Sequence, residues 1–238
     1  MPSLPPYWLL MPAAGSGARF GGEVPKQHLP LAGATVLEHS LAPFLADAGC
    51  RGVVLALAAD DARRGALSAA LPAGVRIVTG GAERVDSVLA ALQALAGSAA
   101  AQDWVLVHDA VRPCLDATDL ARLLRAGAGS EDGALLAAPL ADTLKRGDEC
   151  ARVVATVSRA ALWRALTPQM FRRRALDTAL RAARAADRVP TDEAEAIEWQ
   201  GGRPLLVPAG HANIKITTAG DLPLAAAILA ARTTGVTP

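Results

Sequence analysis

Short apolar runs alternate with longer amphipathic runs along the first half of the chain. The short runs suit strands, whereas the longer ones repeat their apolar residues at helical spacing. This alternation is typical of a parallel sheet covered by helices on both faces. No repeat or low-complexity linker divides the 238 residues, so we predict one α/β domain over residues 1–238. The predicted strands are Trp8–Met11, Val53–Ala58, Val75–Val78 and Trp104–Val107, and the predicted helices are Thr35–Asp47, Asp60–Leu71, Arg84–Leu95 and Ala117–Ala126.

The pattern changes after a further apolar strand, Gly133–Pro139. The polar stretch that follows, with the β-like run Val153–Val157, is too long for a tight turn and too ordered for a linker. We predict a projecting β-arm at about residues 139–161. Thr191 is expected to be the N-cap of a helix. The remaining predictions are a Thr-Pro helix boundary at Ala165–Gln169, helices at Arg172–Ala186, after Thr191 and at Leu222–Arg232, and a strand at Arg203–Val207.

Charge and cysteine content limit the class of partner. The chain carries 24 basic and 23 acidic residues, whereas proteins that bind nucleic acids or anionic membranes by bulk electrostatics usually carry a basic surplus. Its three cysteines are widely spaced and lack metal-site spacing, so neither a disulfide framework nor a zinc site is expected. The first apolar stretch, Tyr7–Met11, is short and lacks a basic flank. We expect a cytoplasmic protein with small-molecule ligands and no nucleic-acid or membrane partner.

Only three lysines, Lys26, Lys145 and Lys215, occur in a chain that otherwise uses arginine. A composition rich in Ala, Gly, Arg and Pro indicates a coding bias against lysine. Lysines that persist are therefore candidates for crowded phosphate sites, where a compact ammonium fits and a broad guanidinium does not. The only asparagine, Asn213, lies two residues before Lys215. Taken singly, each lysine is better explained as a solvated surface charge, so the neighbouring residues decide.

The loop after the first predicted strand suits a phosphate. The tract Pro12–Phe20 is rich in Ala and Gly, so a ligand can approach its backbone N–H groups. Arg19 and Lys26 add positive charge beyond it. The tract lacks the Walker lysine and the GxGxxG spacing, and a plain strand-to-helix turn is the alternative. The two cations favour a triphosphate cradle.

Two other predicted strands also end in polar or glycine-rich loops. Gly80 and Gly81 offer a flat edge for a nucleobase, with the Ser87 hydroxyl for orientation. Asp109 follows the fourth strand and Arg112 comes three residues later, a pair that alone fits a local ion pair equally well. Because ligands bind beyond the carboxyl ends of parallel strands, we expect these loops to lie close together.

The sequence lacks the motifs of an activated protein nucleophile. It contains neither HExxH nor GxSxG, and no cysteine and histidine stand together in a nucleophilic arrangement. Several cations without a nucleophile suggest that the substrate supplies its own. A phosphate monoester does so, because its second pKa of about 6 leaves it a dianion near neutral pH.

Eight tracts carry a resemblance that covers nearly the whole chain. They are PAAGSGARF, PKQ, GGAERVDSV, VHDAVRP, ADTLKR, ALTPQ, TDEA and NIKIT. Their order and approximate spacing resemble those of the 2-C-methyl-D-erythritol 4-phosphate cytidylyltransferase family of the non-mevalonate isoprenoid pathway. The resemblance implies a Rossmann-like nucleotidyltransferase fold with a mostly parallel sheet, a homodimer joined through the arm, and Mg²⁺-dependent transfer of CMP from CTP to the phosphosugar.

The resemblance also implies roles for individual residues. Arg19 and Lys26 match the family's transition-state stabilisers, and Arg159 and Lys215 match the residues that position methylerythritol phosphate. Ala82 stands where many members have Asp, which places a side-chain contact to the nucleotide in doubt. The matching nucleotide-binding positions are Ala13, Ala14, Gly15, Gly80, Gly81 and Ser87.

The substrate pocket implied by the resemblance draws on several segments. Asp109 is expected to contact Mg²⁺, which the CTP phosphates mainly hold. Thr143, Arg159 and Thr167 are expected to come from the arm region of the partner subunit. The matching substrate-pocket positions are Asp109, Arg112, Thr143, Thr167 and Thr191.

Two other functions fit parts of the pattern. A cytidylyltransferase for another polyol phosphate, such as ribitol 5-phosphate, would share the fold and the motifs. A nucleotide-binding module without catalysis would keep the glycine-rich loops. It would, however, leave Lys26, Asp109 and Lys215 without a common purpose.

Overall fold

The computed structural model describes residues 4–15 and 24–233. Eleven strands occur in these ranges. In chain order they are β1 (Tyr7–Ala13), β2 (Pro30–Leu31), β3 (Ala34–Thr35), β4 (Cys50–Leu57), β5 (Val75–Thr79), β6 (Trp104–Val107), β7 (Ala134–Pro139), β8 (Leu144–Gly147), β9 (Val153–Val157), β10 (Trp163–Arg172) and β11 (Leu205–Pro208).

Seven of these strands form a central, mostly parallel sheet in the order β11-β7-β10-β6-β1-β4-β5. Strand β1 pairs in parallel with both β4 and β6, and β4 pairs in parallel with β5. Only β10 runs antiparallel to both of its neighbours, β6 and β7. The predicted α/β class is therefore confirmed. Two hairpins lie outside the sheet, β2 with β3 and β8 with β9, and the second falls within the predicted arm.

Helices cover both faces of the sheet. Thr35 begins the first helix with a capping box, in which its hydroxyl accepts from Glu38 N at 3.2 Å and Glu38 Oε2 accepts from Thr35 N at 2.7 Å. The helices are α1 (Val36–Leu45), α2 (Arg64–Ala70), α3 (Arg84–Ala94), α4 (Ala117–Ala128), α5 (Arg173–Ala185), α6 (Glu193–Glu198) and α7 (Asp221–Thr233).

Alternate residues of each central strand enter two separate cores. Leu9 and Met11 of β1 pack with α1 and α4 on one face, whereas Leu10 packs with α3 and α5 on the other. Successive side chains of a strand point to opposite faces, so a strand buried on both sides must be apolar throughout. This requirement explains why the strands appear in the sequence as short uninterrupted apolar runs.

Two sequence predictions are wrong. Ala165–Gln169 is not a helix boundary but the middle of β10, where the register with β7 shifts between Ala165 and Gln169 and the Thr167–Pro168 peptide is cis. Proline fits within a strand where the ladder is interrupted. Thr191 is not the N-cap of α6, because Asp192 takes that position and its Oδ1 accepts from Glu195 N at 2.9 Å.

Gly133 directly precedes β7, and substitution there tests how closely β10 packs against it. Its φ is +82°, and a Cβ there would lie 2.3 Å from Met170 O. Gly201 has a similar φ of +87° but open space around it. We expect Gly201→Ala to lower the free energy of unfolding by about 1–2 kcal/mol, the cost of the left-handed conformation, and Gly133→Ala by at least about 3 kcal/mol, because the clash adds to it. If urea unfolding shows that both variants lose the same free energy of unfolding, this packing is contradicted.

Candidate active site

The loops after β1, β5 and β6 meet at one edge of the sheet, as predicted from their places at the carboxyl ends of parallel strands. They surround an open cavity of about 410 Å³, a size typical of small-ligand sites. The predicted site residues that line it are Ala13, Ala14, Gly15, Lys26, Gly81, Ser87, Asp109 and Lys215.

Gly80 allows the loops after β1 and β5 to approach each other closely. A Cβ at this position would lie 2.6 Å from Ala14 Cβ and 2.7 Å from Ser87 Oγ. Ser87 is buried, and its hydroxyl accepts a hydrogen bond from Gly81 N at 3.2 Å. The floor of the cavity is therefore backbone with small side chains, which suits close contact with a flat or phosphorylated ligand.

Lys26 lies on a short 3-10 turn that two neighbours hold in place. Buried Gln27 donates from Nε2 to Ala13 O at 2.8 Å, which ties the turn to the end of β1. His28 Nε2 lies 2.7 Å from Asp61 Oδ2. Burial raises the pKa of Asp61, but the hydrogen bond from His28 and that from the backbone of Arg63 outweigh it and lower the pKa. Sequence reasoning missed both contacts.

Asp109 is surrounded by three cations. Its Oδ2 lies 2.9 Å from Lys215 Nζ and 3.4 Å from Arg112 Nε, and its Oδ1 lies 3.1 Å from Arg84 Nη2. Burial alone would raise the pKa of this carboxyl, but the charges of Arg84, Lys215 and Arg112 outweigh burial and hold the pKa well below its usual range. Asp109 is therefore ionised throughout the physiological range.

The contacts of Asn213 and Ile216 explain why these rare residue types flank Lys215. Asn213 donates from Nδ2 to Thr167 O at 2.8 Å, and its own carbonyl accepts from Arg112 Nη1 at 3.0 Å. Three residues on, Ile216 is fully buried, and its N donates to Val111 O at 2.9 Å. Lys215 is thus fixed at its backbone from both sides, while its side chain is 42% exposed and reaches into the cavity.

His108 lies beneath Asp109 as a neutral ring. Thr167 Oγ1 accepts from Asp109 N at 3.1 Å and lies 3.0 Å from His108 Nδ1, so its own proton points to that nitrogen. The Nε2 proton is then directed to Arg112 O at 3.2 Å. Complete burial lowers the pKa of His108 to about 4, in spite of the nearby Asp109 charge.

Some predicted substrate residues lie outside the cavity. Thr167 is buried and supports Asp109 of the same chain. Thr143 and Arg159 are exposed on the arm, where Arg159 Nη1 donates to Ala141 O. Thr191 is exposed, and Arg112 is buried beneath Asp109. Arg19 falls outside the described residues.

Arg84 was not predicted as a site residue, yet it lines the cavity. Besides Asp109 it contacts Glu193 Oε1, at 2.5 Å from its Nη1. The two carboxylates lie 25 and 109 residues further along the chain. Arginine is common in this chain, so the residue type carried no signal that could have identified Arg84.

Asp109 is the only one of the predicted residues that could act as a carboxylate ligand for a metal. No three His, Cys, Asp or Glu side chains come together as a metal site within residues 4–15 and 24–233. A single carboxylate fits Mg²⁺ when substrate phosphates supply most of the other ligands. None of the helices described above is both long and apolar enough to cross a bilayer.

Comparisons with protein families, with relatives and with solved structures all indicate the same family. The model of the 2-C-methyl-D-erythritol 4-phosphate cytidylyltransferase family matches residues 7–231. Proteins of that name from Halorhodospira halophila and Pseudomonas putida W619 are 52% and 51% identical, over 95% and 92% of this chain and 95% and 94% of their own length. The crystal structure of the Francisella tularensis protein of that name superposes with a TM-score of 0.81 at 30% identity, and covers 94% of this chain and 99% of its own.

The neutral state of His108 predicts how stability depends on pH. Between about pH 6.5 and pH 4 the unfolded chain binds a proton at this ring that the folded protein excludes, so the free energy of unfolding falls as the pH falls through this window. The pKa of Asp109 is lowered as well, and the stability that its ionised form contributes is lost only below about pH 4. We expect His108→Gln to be less stable than wild type at pH 7, and the difference to narrow by roughly 2 kcal/mol at pH 5.

Urea unfolding at both pH values measures this difference, and the exposed His211 offers a matched control. The free energy of unfolding of His211→Gln should differ from that of wild type by the same amount at both pH values. A difference between His108→Gln and wild type that is the same at pH 7 and pH 5 would contradict a neutral buried ring.

Proposed function

The chain belongs to the 2-C-methyl-D-erythritol 4-phosphate cytidylyltransferase family, and from this membership we propose how it transfers CMP from CTP to that phosphosugar. The phosphosugar's phosphate oxygen attacks the α-phosphorus of CTP in line, and pyrophosphate leaves on the opposite side. The new bond gives 4-diphosphocytidyl-2-C-methyl-D-erythritol. The phosphate is already ionised near neutral pH, so no protein base is needed.

The arrangement of cations carries this proposal. Lys26, Arg84 and Lys215 come from three separate segments and line one cavity. Two anions must be brought together for the reaction, so the main tasks of the protein are charge neutralisation and alignment. A cavity whose cations outnumber its carboxylates supports both tasks.

Different residues of the cavity lining suit the two substrates. Ala14, Gly15 and Gly81 present backbone to the nucleotide, and Ser87 orients the base edge through the loop that it fixes. Lys26 faces the same cavity. We assign Lys26, together with Arg19, to the charge that develops on the α-phosphate and the leaving group. We assign Lys215 to the phosphate of the phosphosugar.

The proposed reaction also requires Mg²⁺. Asp109 is the carboxylate that would contact it, while the triphosphate of CTP supplies the other ligands. When bound, the metal shields the negative charge of the triphosphate. The part of the protein is to hold Asp109 ionised and fixed at the carboxyl end of β6.

We further propose that the chain is a single domain over residues 1–238 and acts in the cytoplasm as a homodimer. The arm at about residues 139–161 joins the subunits and brings Thr143 and Arg159 to the partner's cavity. Its strand β9 exposes Val153 and Val154 at 66% and 62%, an apolar surface that a second copy would bury. Arg159 would then help Lys215 to position the phosphosugar.

Substitution of Lys26 tests the charge assignment. We expect Lys26→Ala to lower kcat on the order of 10² to 10³-fold, as for loss of one preorganised donor. The melting temperature should stay close to that of wild type, because Gln27 and His28 hold the turn. Pyrophosphate release measures the rate, and a near-normal kcat would exclude Lys26 from the chemical step.

Substitution of Lys215 tests the acceptor site. We expect Lys215→Ala to raise KM for methylerythritol phosphate and lower kcat, with little change in KM for CTP. Arg181→Ala is the control, because Arg181 is exposed, pairs with Asp177 at 2.9 Å and does not line the cavity. Unchanged constants for the phosphosugar in Lys215→Ala would contradict the role.

The acceptor itself is tested by steady-state assays of the wild-type protein with methylerythritol phosphate and with ribitol 5-phosphate. We expect a much higher kcat/KM for methylerythritol phosphate, in line with family membership. A preference for ribitol 5-phosphate would identify the other cytidylyltransferase. CTP binding without pyrophosphate release would indicate a non-catalytic module.

A further inference from the structure

Arg84 joins two carboxylates that are remote in sequence. It is the first residue of α3, and its guanidinium lies 2.5 Å from Glu193 Oε1 through Nη1 and 3.1 Å from Asp109 Oδ1 through Nη2. Glu193 is the first residue of α6, and Asp109 follows β6. The planar fork of arginine can bridge two acceptors in this way, whereas a lysine ammonium is a point charge.

Glu193 is costly to bury. Its side chain is 1% exposed, and its Oε2 has no hydrogen-bond partner among the described residues. Burial raises the pKa of this carboxyl by more than the Arg84 charge lowers it. A buried ion pair is often no more stabilising than apolar residues of similar volume. Stability alone therefore does not account for a glutamate at this position.

The position of Glu193 is rigid, because β10 fixes the start of α6. Gln169 on β10 is buried, and its Nε2 donates to Asp192 Oδ2 at 2.9 Å. Its Oε1 accepts from Ala194 N, also at 2.9 Å. The residues on either side of Glu193 are thus bound to one side chain of the central sheet. Glu193 can therefore hold Arg84 at a fixed place in the cavity wall.

The contacts of Asp109 differ in how easily they can be released. Lys215 contacts Oδ2 through a flexible stem, and its side chain is 42% exposed. In the proposed reaction Lys215 binds the phosphate of the phosphosugar, which draws its ammonium away from Asp109. Arg84 contacts the other oxygen, Oδ1, and stays tied to Glu193.

We propose that Arg84 is a positioning residue, anchored by Glu193, that keeps the Asp109 carboxylate in place when Lys215 turns to the substrate phosphate. This inference rests on the proposed function. It assigns to the Arg84–Glu193 pair an action through Asp109 rather than direct contact with the reacting atoms. Loss of the pair should therefore affect turnover more than binding of CTP, whose contacts come from the loops after β1 and β5.

Two conservative variants test the pair from both sides. Glu193→Gln keeps the volume but removes the charge, and Arg84→Lys keeps the charge but cannot span both carboxylates. We expect each to lower kcat by about 10 to 100-fold, the usual effect of a supporting residue, with KM for CTP within about threefold. The double variant should lie within about threefold of the slower single variant, because both changes break one connection.

The matched controls are Glu198→Gln, on the exposed end of the same helix, and Arg181→Lys, in the exposed pair with Asp177 at 2.9 Å. Both should stay within about twofold of wild type. Melting temperatures show that each variant is folded at the assay temperature, and if Glu193→Gln does not fold, Arg84→Lys alone decides.

The outcomes separate the inference from the proposed function. Normal kcat in the folded Arg84 and Glu193 variants, or effects that multiply in the double variant, would overturn the inference and leave the function intact. A purely structural pair would lower the melting temperature without changing kcat. A wild-type protein that releases no pyrophosphate from CTP and methylerythritol phosphate would overturn the function, and the inference with it.

Discussion

The buried charge of Asp109 is the interaction on which the site depends. A carboxylate at the end of β6 loses most of its hydration, and only the cations around it keep it ionised. Arg84, Arg112 and Lys215 belong to three segments that are distant in sequence. One charge thus brings the start of α3, the loop after β6 and the tract before α7 to a common point. The cavity forms around that point.

The antiparallel strand β10 supports Asp109 and its neighbours through hydrogen bonds. Thr167 accepts from Asp109 N and directs its own proton to neutral His108, while Gln169 fixes the start of α6 and so the position of Glu193. Antiparallel pairing places β10 between β7 and β6, directly beside the strand that carries Asp109. A strand without a side chain in the cavity therefore determines the geometry of the residues that line it.

The sequence predicted the parts of this arrangement that have a local pattern. Burial on both faces makes each central strand an apolar run, so the sheet and the loops at its edge could be predicted. Lys26 and Lys215 were found because lysine is rare in this chain. Arg84 and Glu193 had no such signal, since their contact depends on the tertiary fold. Pro168 made β10 difficult to predict as a strand, because proline usually ends regular structure. At α6, Asp192 rather than Thr191 is the N-cap.

The most direct measurement of the central claim is a crystal structure with the reaction product, 4-diphosphocytidyl-2-C-methyl-D-erythritol, whose diphosphate contains both phosphates that the reaction joins. We expect the diphosphate in the cavity, within hydrogen-bond distance of Lys26 Nζ and Lys215 Nζ, with Arg84 still on Asp109. A diphosphate bound elsewhere, or Lys215 still paired with Asp109 and remote from the phosphates, would contradict the account.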